Sequence, residues 1–438
     1  MASENGKKND KKKAKARKGG KQPKGEQAAA ESTHGFADQI QLAGAGQKLF
    51  VQAAVVAGFA FILAVILGNS EGDGWRRFSF SYLTAFVWLL TIGAGALFWV
   101  VLQNLVNAKW SVGIRRVGEL LASNMPVLAV LALPVAVPLI MGNDVLYSWA
   151  SKANVDADPV LQHKAAYLNP TFFAIRFVVY FVYWTWLANF YLHKSIDQDS
   201  SKGDGSEQAA SMRGISGPAM IGFALTLTFC SFDLIMAIAP KWFSTMFGVY
   251  YFASCYQAIN AVLPLILMWL QRSGRLKTSV TVHHLHDLGK MLFAFTIFWA
   301  YIAFSQFMLI WYANVPEETL WFKHRFADSW GTLGWVLLFG HFVIPFFGLL
   351  SRHVKRSRKA LGFWAIWQLV MIYIDMYWLI MPEESRQYLD VNFKLIDVAC
   401  WLGVTAVFVA GLAYRARGID LVPTKDPRLP KALSFENI

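Results

Sequence analysis

Two aspartates stand where an acidic side chain is expensive. Asp233 and Asp375 each lie in an apolar run and each precede a proline, Pro240 and Pro382, by seven residues. At 1.5 Å of rise per residue, that spacing sets each carboxyl roughly 10 Å below a helix end, inside hydrocarbon if the run spans a bilayer. A carboxylate there costs about 2.5–3.5 kcal/mol on insertion scales, so both should face protein or water. A group so costly to bury is seldom kept for packing alone, and proton transfer is the chemistry it suits.

Around them the later apolar runs carry Gln257, Asn260, Gln306, His341 and Gln368. With water these groups suffice for a hydrogen-bonded path. The plainer reading of the amides, which we prefer for them, is that they join helices at about 0.6–2 kcal/mol per contact. His341 is the one histidine deep in a run. It reads first as a helix-contact residue, and as a proton relay second. The cluster His283, His284, His286 and Asp287 opens the seventh run, a place suited to collecting protons. Its residue types also bind zinc, but His283 and His284 are adjacent, and the best one-face pair is His283 with Asp287 at i, i+4. No complete tetrahedral site is therefore expected. The competing reading is a solvated helix start with Asp287 at the positive end of the dipole.

Electron-carrying chemistry is disfavoured. Intramembrane haem b needs paired axial histidines from facing helices; His193 and His353 lie near helix ends, and His34, His163 and His324 in the tail or loops. Cys230, Cys255 and Cys400 all fall in apolar runs with no CxxC, so neither disulfides, covalent haem nor iron–sulfur clusters are expected, and no metal or other cofactor is assigned to this chain.

The elements that must position these groups follow from composition. With 55% hydrophobic and 15% aromatic residues over 438 positions, the chain reads as an all-α polytopic membrane protein. Ten apolar stretches, near 49–68, 80–103, 120–142, 170–192, 219–239, 246–270, 288–313, 331–350, 361–381 and 393–414, are each long enough to cross ~30 Å of hydrocarbon. Pro126, Pro134 and Pro138 predict a kinked or partly broken third helix. Trp242, Trp311, Tyr312, Trp378 and Trp401 read as an interfacial belt first, and as surroundings for a quinone ring second.

Residues 1–47 form a basic tail without an apolar signal core, expected to be disordered and either lipid-binding or simply solvated. The net charge of +13 reflects this tail and one set of loops, so topology explains it and no nucleic-acid partner is expected. Of the 41 Lys and Arg residues, 31 fall on the side of the N-terminus and 10 on the other, which predicts both termini in the cytoplasm. Four helices separate Asp233 from Asp375, suggesting two parallel four-helix repeats. The resulting division is 48–79 (first flanking helix), 80–240 and 241–382 (the bundles), 383–414 (last flanking helix) and 415–438 (C-terminal tail).

A family resemblance completes the reading. Ser231–Tyr250, the stretch His286–Thr319 with its core FWAYIAFSQFMLIWYANVPEET, Ile344-Pro345-Phe346-Phe347 and Asp375-Met-Tyr-Trp378 closely resemble the ActF type of NrfD-like membrane subunit in bacterial alternative complex III, a quinol:electron-acceptor oxidoreductase. The likeness runs from about residue 48 to the last helix. It implies a bacterial inner-membrane location, a cofactor-free accessory subunit, a sister NrfD-like subunit that is the better quinol-site candidate, and partner subunits carrying multihaem cytochrome c and iron–sulfur clusters on the outer side. For this chain it implies an anchoring role or a proton half-channel; a secondary transporter and a pure scaffold are the alternatives.

Overall fold

The computed structural model describes residues 39–384 and 390–437. Most of the basic tail read from the sequence, residues 1–38 with His34, lies outside the described residues. Among the described residues ten helices are long and apolar enough to cross a membrane: Ala43–Ser70 (α1), Arg76–Leu105 (α2), Val112–Ile140 (α3), Pro170–Ser200 (α4), Ser206–Ile238 (α5), Phe247–Arg272 (α6), Val282–Ala313 (α7), Asp328–Leu350 (α8), Arg358–Glu383 (α9) and Leu395–Arg415 (α10). A short helix, Pro316–Arg325, bridges α7 and α8. The chain is an all-α polytopic membrane protein.

Helix starts follow local chemistry. Asn169 accepts the Phe172 N–H ahead of Pro170 at the first position of α4, and Thr281 accepts the His283 N–H at the start of α7. The break in α3 falls at Ser123-Asn124, between helical pieces Val112–Ala122 and Met125–Ile140. Pro126 sits in the first turn of the second piece, where a missing N–H costs nothing. Asn124 itself donates to the Phe408 carbonyl on α10, so the interruption is tied to a neighbour.

Packing makes two rings of four. Helices α2, α3, α4 and α5 pack in sequence and close through α5 against α2; α6, α7, α8 and α9 do the same through α9 against α6. The rings meet where α2 lies against α6. A Cβ added to Gly95 would stand 2.0 Å from the Cys255 carbonyl oxygen, so only glycine admits this approach. The terminal helices α1 and α10 pack along each other, and α10 also lies on α2. There buried Arg77 forms an ion pair with Asp397, which also accepts the Ser81 hydroxyl.

The proline spacing hides a difference. The α-helical part of α5 ends at Leu234 and gives way to a 3₁₀ turn at Met236–Ile238, so Asp233 is the penultimate α-helical residue rather than one seven short of the end. In α9 the α-helix continues to Ile380, five residues beyond Asp375, before its 3₁₀ turn at Met381–Glu383.

Candidate functional site

Asp233 and Asp375 are both enclosed by protein, at 1% and 0% exposure, but in unlike surroundings. Asp233 is gripped by Arg176 of α4, whose Nε and Nη2 donate to its two oxygens at 2.8 Å each; the Tyr180 hydroxyl donates to the same carboxylate at 2.8 Å. The guanidinium is held in turn by the Tyr167 carbonyl and lies 3.9 Å from the Tyr167 ring centroid and 4.3 Å from that of Phe172. This is a two-pronged, aromatic-clamped ion pair. Arg176 lies 57 positions from Asp233 in the sequence, and no residue spacing shows the pairing. The available signal was Arg176 with Tyr180 at i, i+4, one helical face just inside α4.

Asp375 has three neutral donors. Tyr250 O–H reaches Oδ1 at 2.5 Å, Trp299 Nε1–H reaches Oδ2 at 3.1 Å, and Ser254 O–H reaches Oδ2 at 3.5 Å. Among the described residues no cation pairs with it. The partners come from α6 and α7, whereas those of Asp233 come from α4, so the two aspartates face different neighbours within their rings. A tyrosine hydroxyl can donate to a carboxylate or accept from a carboxylic acid, so the site keeps its hydrogen bonds in either protonation state.

A second hydrogen-bonded group lies next to Trp299, joined to it by ring stacking. The indole stacks on the His341 imidazole at 3.8 Å between centroids. His341 Nε2 bonds Gln257 Oε1 at 2.8 Å, Gln257 Nε2–H donates to Thr296 Oγ1 at 3.1 Å, and Gln368 Nε2–H donates to the same hydroxyl at 2.9 Å. The other ring nitrogen, Nδ1, is buried and has no hydrogen-bond partner among the described residues.

His341 owes its place to an irregularity in α8, a π-helical stretch at Leu337–Val343 just before Pro345. Proline has no N–H, so the carbonyls four and five residues back, His341 and Gly340, lose a donor. Side chains of α9 supply the replacements: Trp367 Nε1–H donates to the Gly340 carbonyl at 2.7 Å and Gln368 Nε2–H to the His341 carbonyl at 3.3 Å.

The remaining sequence candidates lie apart from this network. Gln306, on α7 two turns beyond Trp299, accepts the Ser244 hydroxyl at 3.1 Å, and Asn260 donates to the Tyr256 carbonyl of its own helix. The cluster at the start of α7 is not a solvated helix end. His284, His286 and Asp287 are buried, and the C-terminal segment covers His283, His284 and Asp287. The Asn437 N–H donates to His283 Nδ1 at 2.9 Å, its side chain amide donates to Asp287, and Phe435 packs on His284. His284 Nδ1 lies 3.0 Å from Thr281 Oγ1 and accepts the Thr281 N–H, a capping box that gives this residue a local structural task. Among the described residues, no three His, Cys, Asp or Glu side chains converge as metal ligands.

Two belt residues also need correction. Trp311 and Tyr312 are exposed to the surroundings, but Trp242 and Trp378 are buried, Trp242 by stacking on Trp321 at 4.1 Å. Residue type cannot distinguish an aromatic at the water boundary from one beneath a loop helix. No protein-family model and no curated protein matches the chain.

Proposed function

We propose that this chain is a cofactor-free NrfD-like membrane subunit of a respiratory quinol:electron-acceptor oxidoreductase, and that its second ring carries protons through Asp375 and His341. One observation supports this above all: Asp375 is fully buried with neutral, reversible hydrogen-bond partners and no cation, while Asp233 is locked to Arg176. The Tyr250 hydroxyl can follow a change of protonation at Asp375, and His341, stacked on Trp299, is a second titratable group nearby; a stacked indole passes no proton, so transfer between the two runs through water. The resemblance of α7 to ActF supplies the respiratory context. In that reading both termini are cytoplasmic in a bacterial inner membrane, the sister subunit handles quinol, and haem c and iron–sulfur clusters belong to partner subunits.

The test is Asp375→Asn in the assembled complex. Asparagine keeps the hydrogen bonds, because the Tyr250 hydroxyl can turn to accept from the new amide, but it removes the titratable proton. The expected outcome is intact assembly with proton translocation lost, or quinol turnover slowed if the two are coupled. Unchanged turnover and proton stoichiometry would leave the chain a scaffold, the second reading, which the Asp233–Arg176 clamp favours. Copurification with multihaem and iron–sulfur subunits tests the assignment to the complex separately.

A further inference from the structure

The turn from α8 to α9 carries Arg352, Lys355, Arg356, Arg358 and Lys359, and the sequence has no Asp or Glu between Asp328 and Asp375. Among the described residues none of the five forms an ion pair. A charge needed only for topology can stay in water, yet two of these are drawn into the protein. Lys355 is buried against Gly289 of α7, where an added Cβ would stand 3.2 Å from its Cβ and Cγ. Its Nζ sits 5.0 Å from the Phe293 ring centroid and donates to the Leu349 and Leu350 carbonyls at 2.7 and 3.0 Å, at the end of α8. Arg356 is half-buried, and its Nη1 is enclosed without a hydrogen-bond partner. His286, the member of the α7 cluster that neighbours this turn, is buried with Nδ1 likewise unpartnered, and the charges of Lys290, Arg356 and Lys355 all act on its ring. Elsewhere drawn-in arginines have carboxylates, as in Arg77–Asp397, Arg115–Glu119 and Arg176–Asp233. Here positive charge collects at a helix junction, and Asp287, the acid beside it, already takes Lys290 and Asn437. Past the turn, α7 and α8 present Ile297, Phe347 and Leu350 outward, beside the packed rings of Phe293 and Phe346.

We propose that this junction binds an anionic phospholipid, its phosphate held by Arg356, Lys290 and the third N–H of Lys355, and its acyl chains laid along α7 and α8. Three features select that ligand. Phosphate oxygens accept charge-assisted hydrogen bonds from guanidinium and ammonium groups, and two of the three donors of Lys355 are already used. Basic pockets between membrane helices are suited to lipid head groups, and a soluble anion would leave the apolar faces of α7 and α8 unused. A zwitterionic lipid brings its own cation and gains less from a turn with five positive side chains and no acid. The site needs neither proton conduction through Asp375 nor a respiratory partner.

The experiment uses the full chain with whatever subunits copurify, delipidated and placed in nanodiscs of phosphatidylcholine. A phosphatidylglycerol with a photoreactive diazirine near the glycerol end of one acyl chain is added and photolysed. Label is expected on peptides holding residues 293–297 and 346–350, displaced by excess unlabelled phosphatidylglycerol but by neither further phosphatidylcholine nor inorganic phosphate. Arg356→Gln, which keeps hydrogen-bonding capacity and loses the charge, should weaken displacement by phosphatidylglycerol about fivefold, the effect of one basic residue at an anionic surface. Lys202→Gln removes an exposed cation from the α4–α5 loop and should leave displacement unchanged. The lipid preference of the parent carries the test if Arg356→Gln fails to fold. Label elsewhere, displacement by phosphatidylcholine as effective as by phosphatidylglycerol, or equal losses in the two variants would overturn the proposal. Displacement by inorganic phosphate would overturn it as well, marking the junction as a site for a soluble anion. None of these readouts depends on proton translocation, so this inference and the relay fail separately.

Discussion

Asp233 and Asp375 look interchangeable in the sequence, and their consequences on mutation should be opposite. Asp233→Asn strands a buried guanidinium, a class of change that costs about 3–5 kcal/mol. Thermal unfolding in detergent should show a marked loss of stability, and Asp233→Leu combined with Arg176→Met should recover much of it. Asp375→Asn should stay close to wild type in the same assay. Equal destabilisation by the two asparagine variants would contradict the distinction drawn from their partners. The sequence displayed both acids but not their pairing, because Arg176 is 57 positions away from Asp233 and reaches it only once α4 lies against α5.

The helices themselves were largely legible, since a run of some twenty apolar residues has few other solutions. Each expected span has a counterpart, although α3 begins at Val112 rather than near 120, because its first piece carries Arg115, Arg116 and Glu119. Those charges break the apolar pattern, yet they pair when buried: Arg115 Nε donates to Glu119 at 2.8 Å and Arg116 lies 3.2 Å from the same carboxylate. What no periodicity reveals is the π-helical stretch in α8, although Pro345 hints at a local fault. If Pro345 maintains it, Pro345→Ala should let α8 relax towards regular α-helix and turn His341 away from Gln257. Cysteines substituted at those two positions should be bridged by a short bifunctional thiol reagent in the parent and several-fold less in the Pro345→Ala background. Equal yields would show that α9, through Trp367 and Gln368, holds the irregularity unaided.

Across the whole molecule, the C-terminal segment is a working part of the fold. Asp426 receives Arg115 Nη2 at 2.9 Å and Arg428 Nη2 at 2.7 Å, and the Leu421 N–H donates to the Ile40 carbonyl at 2.7 Å, joining both ends of the described chain on one face. Burial by itself would raise the Asp426 carboxyl, but hydrogen bonds from Arg428 and the charges of Arg115 and Arg428 hold it well below its ordinary value. A depressed carboxyl stabilises the fold at pH values above its unfolded pKa of about 4, and that contribution fades as pH falls further. Hydrogen exchange over residues 420–437 should therefore show protection at pH 6–7 and release near pH 3, with Asp426→Asn releasing the segment already at neutral pH. Protection unchanged at pH 3 would mean that the apolar contacts of Leu421, Val422 and Leu429 suffice.

The pairing of α1 with α10 has a consequence for biogenesis. A helix made early must wait in the bilayer for a partner made after eight others have been threaded. During that interval α1 has only a limited contact with α2, and its composition suits the wait: it is the most apolar of the ten, with no Asp, Glu, Lys or Arg between Lys48 and Glu71. Helix α10, by contrast, carries Asp397, which finds Arg77 already in place. The order of synthesis and the distribution of charge thus agree: the helix that arrives without a partner brings nothing that needs one.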